Sequence, residues 1–411
     1  MTARTVAIVD PYSSGVLYAP ALREAGFRPI AVLSWPLPAD SFTATFRAND
    51  FDTILTASKN VVPQLTKLKP LAIIPGSESG VALADDLSQK LTPSLAHVPE
   101  LTPSRSHKGH MAKAISSAGL AMTPTICVRS VQEATAPLTT TEFAGHDLVI
   151  KPATSVSTDG VTLVPAGEDW RPAVTALIGR TNATGVTNKE VVIQRRLFGT
   201  EYVVNTFSHD GHHVVTDVCR YTKTTTNDSF AVYQDVEFLP ADDPMHTDTI
   251  NYVRKALDAL GFRFGPAHTE VMLTNEGPRL VEVNSRLAGS GMAAAAELAT
   301  GDNGARRTIR YLLGSRDFPA TTTLKRSVSV AMFLARHDGV VTNAETLDRI
   351  RHLPTCRNLV VNVRNGDKIA KTTDLLSSLR LGWALFAHRD PARVKRDHAQ
   401  ARAYAAELTT L

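Results

Sequence analysis

The stretch Gly265-Pro266-Ala267-His268-Thr269-Glu270-Val271-Met272-Leu273-Thr274-Asn275-Glu276-Gly277-Pro278-Arg279-Leu280-Val281-Glu282-Val283-Asn284-Ser285-Arg286 reads as two strands, His268 to Leu273 and Arg279 to Asn284, joined by a turn at Asn275 to Pro278. Alternate side chains of a strand share a face, so Glu282, Asn284 and Arg286 project together, and hairpin pairing brings Glu270 beside them. Two carboxylates and an amide oxygen, with no cysteine nearby, are hard oxygen donors suited to Mg²⁺ rather than zinc. An arginine on that face suits a phosphate or carboxylate oxygen. The alternative is an exposed hairpin face whose charges are simply solvated. Against it, Val271, Leu280, Val281, Val283, Leu287, Ala288 and Gly289 compose the segment for burial, where an unpaired charge is costly. The metal-binding reading is favoured.

Upstream, Leu148-Val149-Ile150-Lys151-Pro152 is a strand delivering a lysine, followed by the Ser/Thr/Gly loop Ala153 to Gly160. Small hydroxyl residues and free backbone N–H groups can close over phosphates while the lysine places a charge on them; alone, the same composition is that of an ordinary loop. Val191 to Gln194 and Glu201 to Phe207 alternate, and the second run is joined through His209-Asp210-Gly211 to His213 to Val218, an antiparallel hairpin. Helical patterns run from Lys108 to Ala118, closed by Gly119, and over about 247–260, closed by Gly261.

In the first hundred residues the short apolar runs Val6 to Val9, Ile30 to Leu33, Thr53 to Leu55 and Leu71 to Ile74 are separated by helical patterns, as a parallel sheet covered on both faces requires. The turns Asp10-Pro11-Tyr12-Ser13-Ser14-Gly15 and Gly76-Ser77-Glu78-Ser79-Gly80 fall at strand carboxyl ends, where such sheets bind ligands; each is either a ligand contact or a plain turn. Neither G-x-G-x-x-G nor G-K-[ST] occurs there, which argues against a dinucleotide fingerprint, and hence a dehydrogenase, and against a P-loop. The last ninety residues read as a separate small lobe with strands Val328 to Leu334 and Leu359 to Val363.

The 411 residues suit two to four domains at about 150 residues each. A chain 43% apolar and 20% charged is an ordinary globular one. The net charge of +4 is spread over interspersed residues, which gives no broad field for a polyanion, and the short basic runs at 306–310 and 393–396 read as solvated faces. No nucleic-acid partner is expected. Cys127, Cys219 and Cys356 lack C-x-x-C spacing and read as buried small hydrophobes in a reducing compartment. With no signal-peptide pattern at the start and no apolar run near the ~20 residues that span a bilayer, a cytoplasmic protein without a membrane partner is expected.

In order and spacing these pieces resemble the ATP-grasp superfamily of carboxylate-amine ligases, most of all its L-amino acid ligase (dipeptide synthase) branch. The resemblance covers roughly residues 1–315 and rests on Tyr12 to Gly15, Lys108, Lys151-Pro152 with Ser155 to Val161, Gln194 to Tyr202, and Gly265 to Glu270 through Asn284-Ser285-Arg286. It implies a mixed α/β and α+β multidomain fold: a Rossmann-like parallel-sheet domain (1–100), an ATP-grasp small lobe with the phosphate-covering loop (101–190), a large lobe with the metal site (191–315) and a C-terminal α+β lobe (316–411). It further implies that Lys108 and Lys151 contact ATP phosphates and that Ser155, Ser157, Thr158 and Gly160 belong to the covering loop. Gln194, Arg195, Arg196 and Leu197 would form the adenine hinge, and Glu201 would hold the ribose. Glu270, Glu282 and Asn284 would bind two Mg²⁺ ions, with Mn²⁺ able to substitute, and Arg286 would stand by the transferred phosphate, with Lys151 also catalytic. A homodimer is implied. Ser157 stands where the family usually has glycine, and Gln194 and Arg195 where it usually has carboxylates.

The implied reaction joins the carboxylate of one amino acid to the amine of another through an acyl phosphate, releasing ADP and phosphate. The rival readings are a ligase using a non-amino-acid carboxylate or amine, and a nucleotide-binding sensor or scaffold without ligase activity. Several residues carry two readings. His268 either orients an amino-acid substrate or packs. Lys223 either reaches the acyl phosphate from a loop or stands on the surface. Gly289-Ser290-Gly291 either offers N–H groups to a substrate carboxylate or caps an Ala-rich helix. His209, His212 and His213 read as exposed turn histidines, and Met292 to Ala296 as packing.

Overall fold

Uniformly apolar strands at the start of the chain do form a parallel sheet. In a computed structural model that describes residues 4–35, 37, 43–155, 158–226 and 229–408, β1 (Thr5–Val9), β2 (Arg28–Leu33), β3 (Thr53–Thr56) and β4 (Ile73–Pro75) are ordered β3-β2-β1-β4, all parallel. Parallel strands put their carboxyl ends at one edge. There the buried Asp10 accepts from the Ser34 amide (2.8 Å) and from the Ser79 hydroxyl (2.5 Å), tying three loops together. Gly76 is required by close approach: a Cβ there would lie 2.6 Å from the Asp10 carbonyl oxygen.

The next module is a four-stranded antiparallel sheet, β5 (Thr125–Val128), β6 (Leu148–Pro152), β7 (Thr162–Val164) and β8 (Val191–Arg195), in the order β5-β8-β6-β7. Helices Val131–Leu138 and Arg171–Leu177 bury Ala134, Val174 and Leu177 against Ile150, Val191 and Ile193.

The third sheet dominates the molecule. Its strands are β9 (Thr200–His209), β10 (His212–Thr226), β11 (Ser229–Leu239), β12 (Gly265–Thr274), β13 (Gly277–Asn284) and β14 (Ser327–Met332). Beyond a short ladder of β15 (Gly339–Val340) with β17 (Lys368–Ile369), β16 (Cys356–Val361) and β18 (Gly382–His388) complete it in the order β13-β12-β9-β10-β11-β14-β18-β16. The expected hairpins at Asp210-Gly211 and at Asn275 to Pro278 are both present. The last ninety residues, expected as a separate lobe, instead extend this sheet through the β11–β14 pairing, Asp235 opposite Ala331. They are fastened by His398 and Arg402 of the helix Pro391–Ala406, which hold Asp235 at 2.7 and 2.9 Å.

Period-two alternation divides the large sheet. Tyr202, Val204 and Val218 face the helix Thr247–Ala259, while Val203, Cys219 and Tyr221 face the other way, toward the helix Met292–Thr300. Tyr18, Leu22 and Phe27 of the N-terminal module share a core with Leu287, Ala293 and Tyr311, which docks the parallel sheet's loops over one end of that second face. His209 and His213 are buried, contrary to the expectation of exposed turn residues. His209 packs on Phe318, and His213 lies between Ser208 (2.8 Å) and Asp258 (3.2 Å). Among the described residues no helix is long and apolar enough to cross a membrane.

Candidate active site

The face carrying Val203 also carries, by the same alternation, Glu201 on β9, Tyr221 and Lys223 on β10, and His268, Glu270 and Met272 on β12. Register then sets Glu282 opposite Glu270 and Asn284 opposite His268 on β13. Strand β6 closes the space above this face, while helix Lys108–Ser117 buries Met111 and Ile115 in the core on the opposite face and brings Lys108 in from its first turn, so Lys108 and Lys151 enter a cavity of about 220 Å³ whose floor bears the carboxylates. Of the residues singled out from the sequence, Lys108, Lys151, Ser155, Thr158, Gln194, Arg195, Arg196, Leu197, Glu201, Lys223, His268, Glu270, Glu282, Asn284, Arg286, Gly289 and Ser290 line it. Gly160 and Gly291 are left-handed turn residues (φ +70° and +77°) outside that lining, and Ser157 lies outside the described residues.

Charge is arranged in pairs. Lys108 donates to the Ser155 carbonyl (2.8 Å) and pairs with Glu282 (3.0 Å). Lys223, which sits in a strand and not in a loop, pairs with Glu201 at 2.6 Å and lies 4.2 Å from the centre of the Tyr233 ring. Burial opposes the Lys223 charge, but Glu201 and Glu270 outweigh it and push its pKa up. Burial would likewise raise the Glu270 carboxyl, yet Lys223, His268 and Lys151 hold it well below the usual carboxylate range. Lys151 is the exception. Only 6% exposed, it has no hydrogen bond or ion pair among the described residues, and burial followed by Lys108 brings its ammonium down to about 8. A buried cation facing open volume without an anion is a ready phosphate contact.

His268 is held from both sides, Nδ1 by Asn205 (2.9 Å) and Nε2 by Glu270 (3.3 Å), while Asn205 donates onward to the buried Asp217 (2.6 Å). Its ring therefore orients Glu270 as well as lining the cavity. Of the amides offered by Gly289-Ser290-Gly291, that of Ser290 is already taken by the Ser13 hydroxyl (3.0 Å). The covering loop is stitched by Asp159, which accepts from Ser155 (2.8 Å) and pairs with Arg180 (2.5 Å). Thr158 accepts from the Leu375 amide (3.2 Å), so the loop touches the C-terminal segment. In the hinge, Gln194 turns its amide to Thr125 (2.9 Å) and Arg196 pairs with Asp147 (3.1 Å), so the polar ends of both side chains are already engaged.

Glu78 lies in the Gly76 to Gly80 turn, expected as either a ligand contact or a plain turn, with no role expected of Glu78 itself. It arrives from the turn after β4 and takes Arg286 Nε at 2.8 Å; its position at a strand carboxyl end was the available signal. Glu78 also bears on metal binding. With its nitrogen facing them, the Asn284 amide donates to Glu78 (2.9 Å) and to Glu282 (3.0 Å). Turned the other way, its oxygen joins those carboxylate oxygens, a grouping of acceptors that a cation satisfies. The donor set Glu270, Glu282 and Asn284 therefore fits Mg²⁺, being all oxygen.

Residues 144–294 match the ATP-grasp domain. Dapdiamide A synthase of Enterobacter agglomerans is 30% identical over 295 residues, spanning 69% of this chain and 67% of that one. In fold, the chain is similar to the L-amino acid ligase of Bacillus licheniformis, with a TM-score of 0.77 at 16% identity over 100% of this chain and 99% of that one. It is also similar to the ADP complex of N5-carboxyaminoimidazole synthetase from Staphylococcus aureus, with a TM-score of 0.67 at 13% identity over 98% of each chain. The chain belongs to the ATP-grasp family of carboxylate-amine ligases.

Proposed function

We propose that this ATP-grasp ligase joins the carboxylate of one amino acid to the amine of another, forming an acyl phosphate from ATP and releasing ADP and phosphate. The observation that carries this reading is the convergence of Lys108, Lys151, Glu270, Glu282, Asn284 and Arg286 on one cavity. ATP-grasp enzymes use ATP and Mg²⁺. Bound by Glu270, Glu282 and Asn284, two Mg²⁺ ions would supply charge neutralisation on phosphate oxygens.

A carboxylate is a poor electrophile at neutral pH, so in this reading its oxygen first attacks the γ-phosphorus and ADP leaves. The amine, having lost its proton to solvent, then attacks the acyl carbon, and the C–O bond to phosphate breaks. Such chemistry needs positioning and charge more than a side-chain nucleophile. Lys108 and Lys151 hold the phosphates from above. Arg286, kept in place by Glu78, meets the acyl and phosphoryl oxygens, and Glu201 with Lys223 borders the nucleotide's sugar. The loop bearing Ser155 and Thr158 excludes water, to which an acyl phosphate would be lost. The amide-forming relative named above supports a ligase over a sensor.

The test is trapping with hydroxylamine. Wild-type chain with Mg-ATP and the first substrate alone should yield that acid's hydroxamate with stoichiometric ADP. Release of AMP and pyrophosphate would refute the acyl phosphate route.

A further inference from the structure

Outside the cavity lining, at the start of the helix that carries Lys108, three residues of different chemistry converge. His107 caps that helix, Cys127 lies on β5 and Glu190 immediately precedes β8. The His107 nitrogen, the Cys127 sulfur and a Glu190 oxygen all lie within 4.8 Å of one another. We propose that they form a binding site for one zinc-class divalent ion, separate from the oxygen-lined Mg²⁺ site.

The arrangement goes beyond an ordinary ion pair. Glu190 divides its oxygens: Oε1 is held by Arg129 (2.9 Å to Nε), and Oε2 is turned to His107 Nε2 at 2.8 Å. His107 in turn has its other nitrogen fixed by the His110 amide, at 3.3 Å. Both groups are thus aimed, and the sulfur that completes the triangle has no hydrogen-bond partner among the described residues. Contrary to the expectation of a buried cysteine, Cys127 is exposed to solvent, so an ion has an entry path. The first helical turn is packed close to it, since a Cβ on Gly109 would come within 2.9 Å of the sulfur. One nitrogen, one sulfur and one oxygen suit Zn²⁺ or Co²⁺ in tetrahedral geometry with solvent in the fourth position, and do not suit Mg²⁺.

Binding balances as follows. The Cys127 thiol releases its proton to solvent and the sulfur binds as thiolate. The His107 proton shifts from Nε2 to Nδ1, giving up the long capping bond, and Nε2 becomes the ligand. Affinity therefore rises with pH. An ion there ties the start of the Lys108 helix to β5 and to the entry of β8.

The test adds Co²⁺ alone to the full chain, without nucleotide. The expected result is sulfur-to-cobalt charge-transfer absorption in the near ultraviolet, saturating at one ion per chain and bleached by Zn²⁺. It should be absent in Cys127→Ser, at least about tenfold weaker in affinity in His107→Gln, and unchanged in Glu282→Gln. Zn²⁺ should also raise the thermal midpoint of wild type but not of Cys127→Ser. Absorption missing from folded wild type, surviving in Cys127→Ser or lost in Glu282→Gln would overturn the proposal. The last result would show that the sulfur site is not separate from the nucleotide-site carboxylates.

Discussion

Replacing Lys151 by methionine should stabilise the ligand-free protein while abolishing its activity. The ammonium is buried above the carboxylate floor, and its pKa falls from 10.5 in the unfolded chain to about 8 in the folded one. At 1.36 kcal/mol per unit, that difference places a cost of about 3 kcal/mol on the folded state at pH 7. The attraction to Glu282 and Glu270 is already included, because both act on the same equilibrium. A depressed lysine pKa means that the unfolded chain binds more protons between pH 8 and 10.5, so wild-type stability should gain this increment as pH rises through that window. Below pH 8 the cost is fully present. Lys151→Met removes the titrating group, so its urea midpoint should exceed that of wild type at pH 7 and converge with it near pH 10.5. The thermal midpoint should rise by roughly 3–6 °C. At pH 8, ATP binding to wild type should take up protons as the phosphates restore the ammonium, measured by calorimetry in buffers of differing ionisation heat. A variant that is less stable than wild type at pH 7, or a stability difference flat from pH 7 to 10.5, would refute the reasoning.

Glu282→Gln, which removes a cation ligand, should lower turnover by at least about a hundredfold with unchanged circular dichroism; near-wild-type turnover would remove Glu282 from the metal site. Glu78→Gln takes the carboxylate from Arg286 and should lower turnover on the order of tenfold or more, with little change in nucleotide affinity measured by calorimetry. Lys223→Met strands the buried Glu201 carboxylate and should cost about 3–5 kcal/mol at pH 7. Burial raises the pKa of Glu201, so this loss should shrink as pH falls toward 5 and the carboxyl is protonated, as urea titrations at the two pH values will show.

Local pattern carried the parts of the fold that local physics decides. The Asp210-Gly211 and Asn275 to Pro278 turns lie between alternating runs, and alternation put Glu282 and Asn284 on one face while the hairpin pairing set Glu270 beside them. What escaped depends on partners distant in sequence. Lys223 looked like a loop lysine because its carboxylate, Glu201, is 22 positions away and meets it only across the β9–β10 ladder. Glu78 enters the site only because an apolar core docks the first module onto the large sheet, bringing it 208 positions along the chain to Arg286. His209 and His213 are polar and flank a turn, and their burial comes from Phe318 and from the long helix behind the sheet. The C-terminal strands gave no sign of which edge they would join, since their partners there are distant in sequence: Val328 and Val330 share a core with Val236 and Phe238, and His398 and Arg402 clamp Asp235.

The most direct measurement follows oxygen. An amino-acid substrate labelled with ¹⁸O in its carboxylate, identified first by phosphate release with Mg-ATP, should deliver one labelled oxygen to inorganic phosphate for each amide bond formed, with ADP as the only nucleotide product. Label appearing in AMP, or phosphate released without label, would contradict the account.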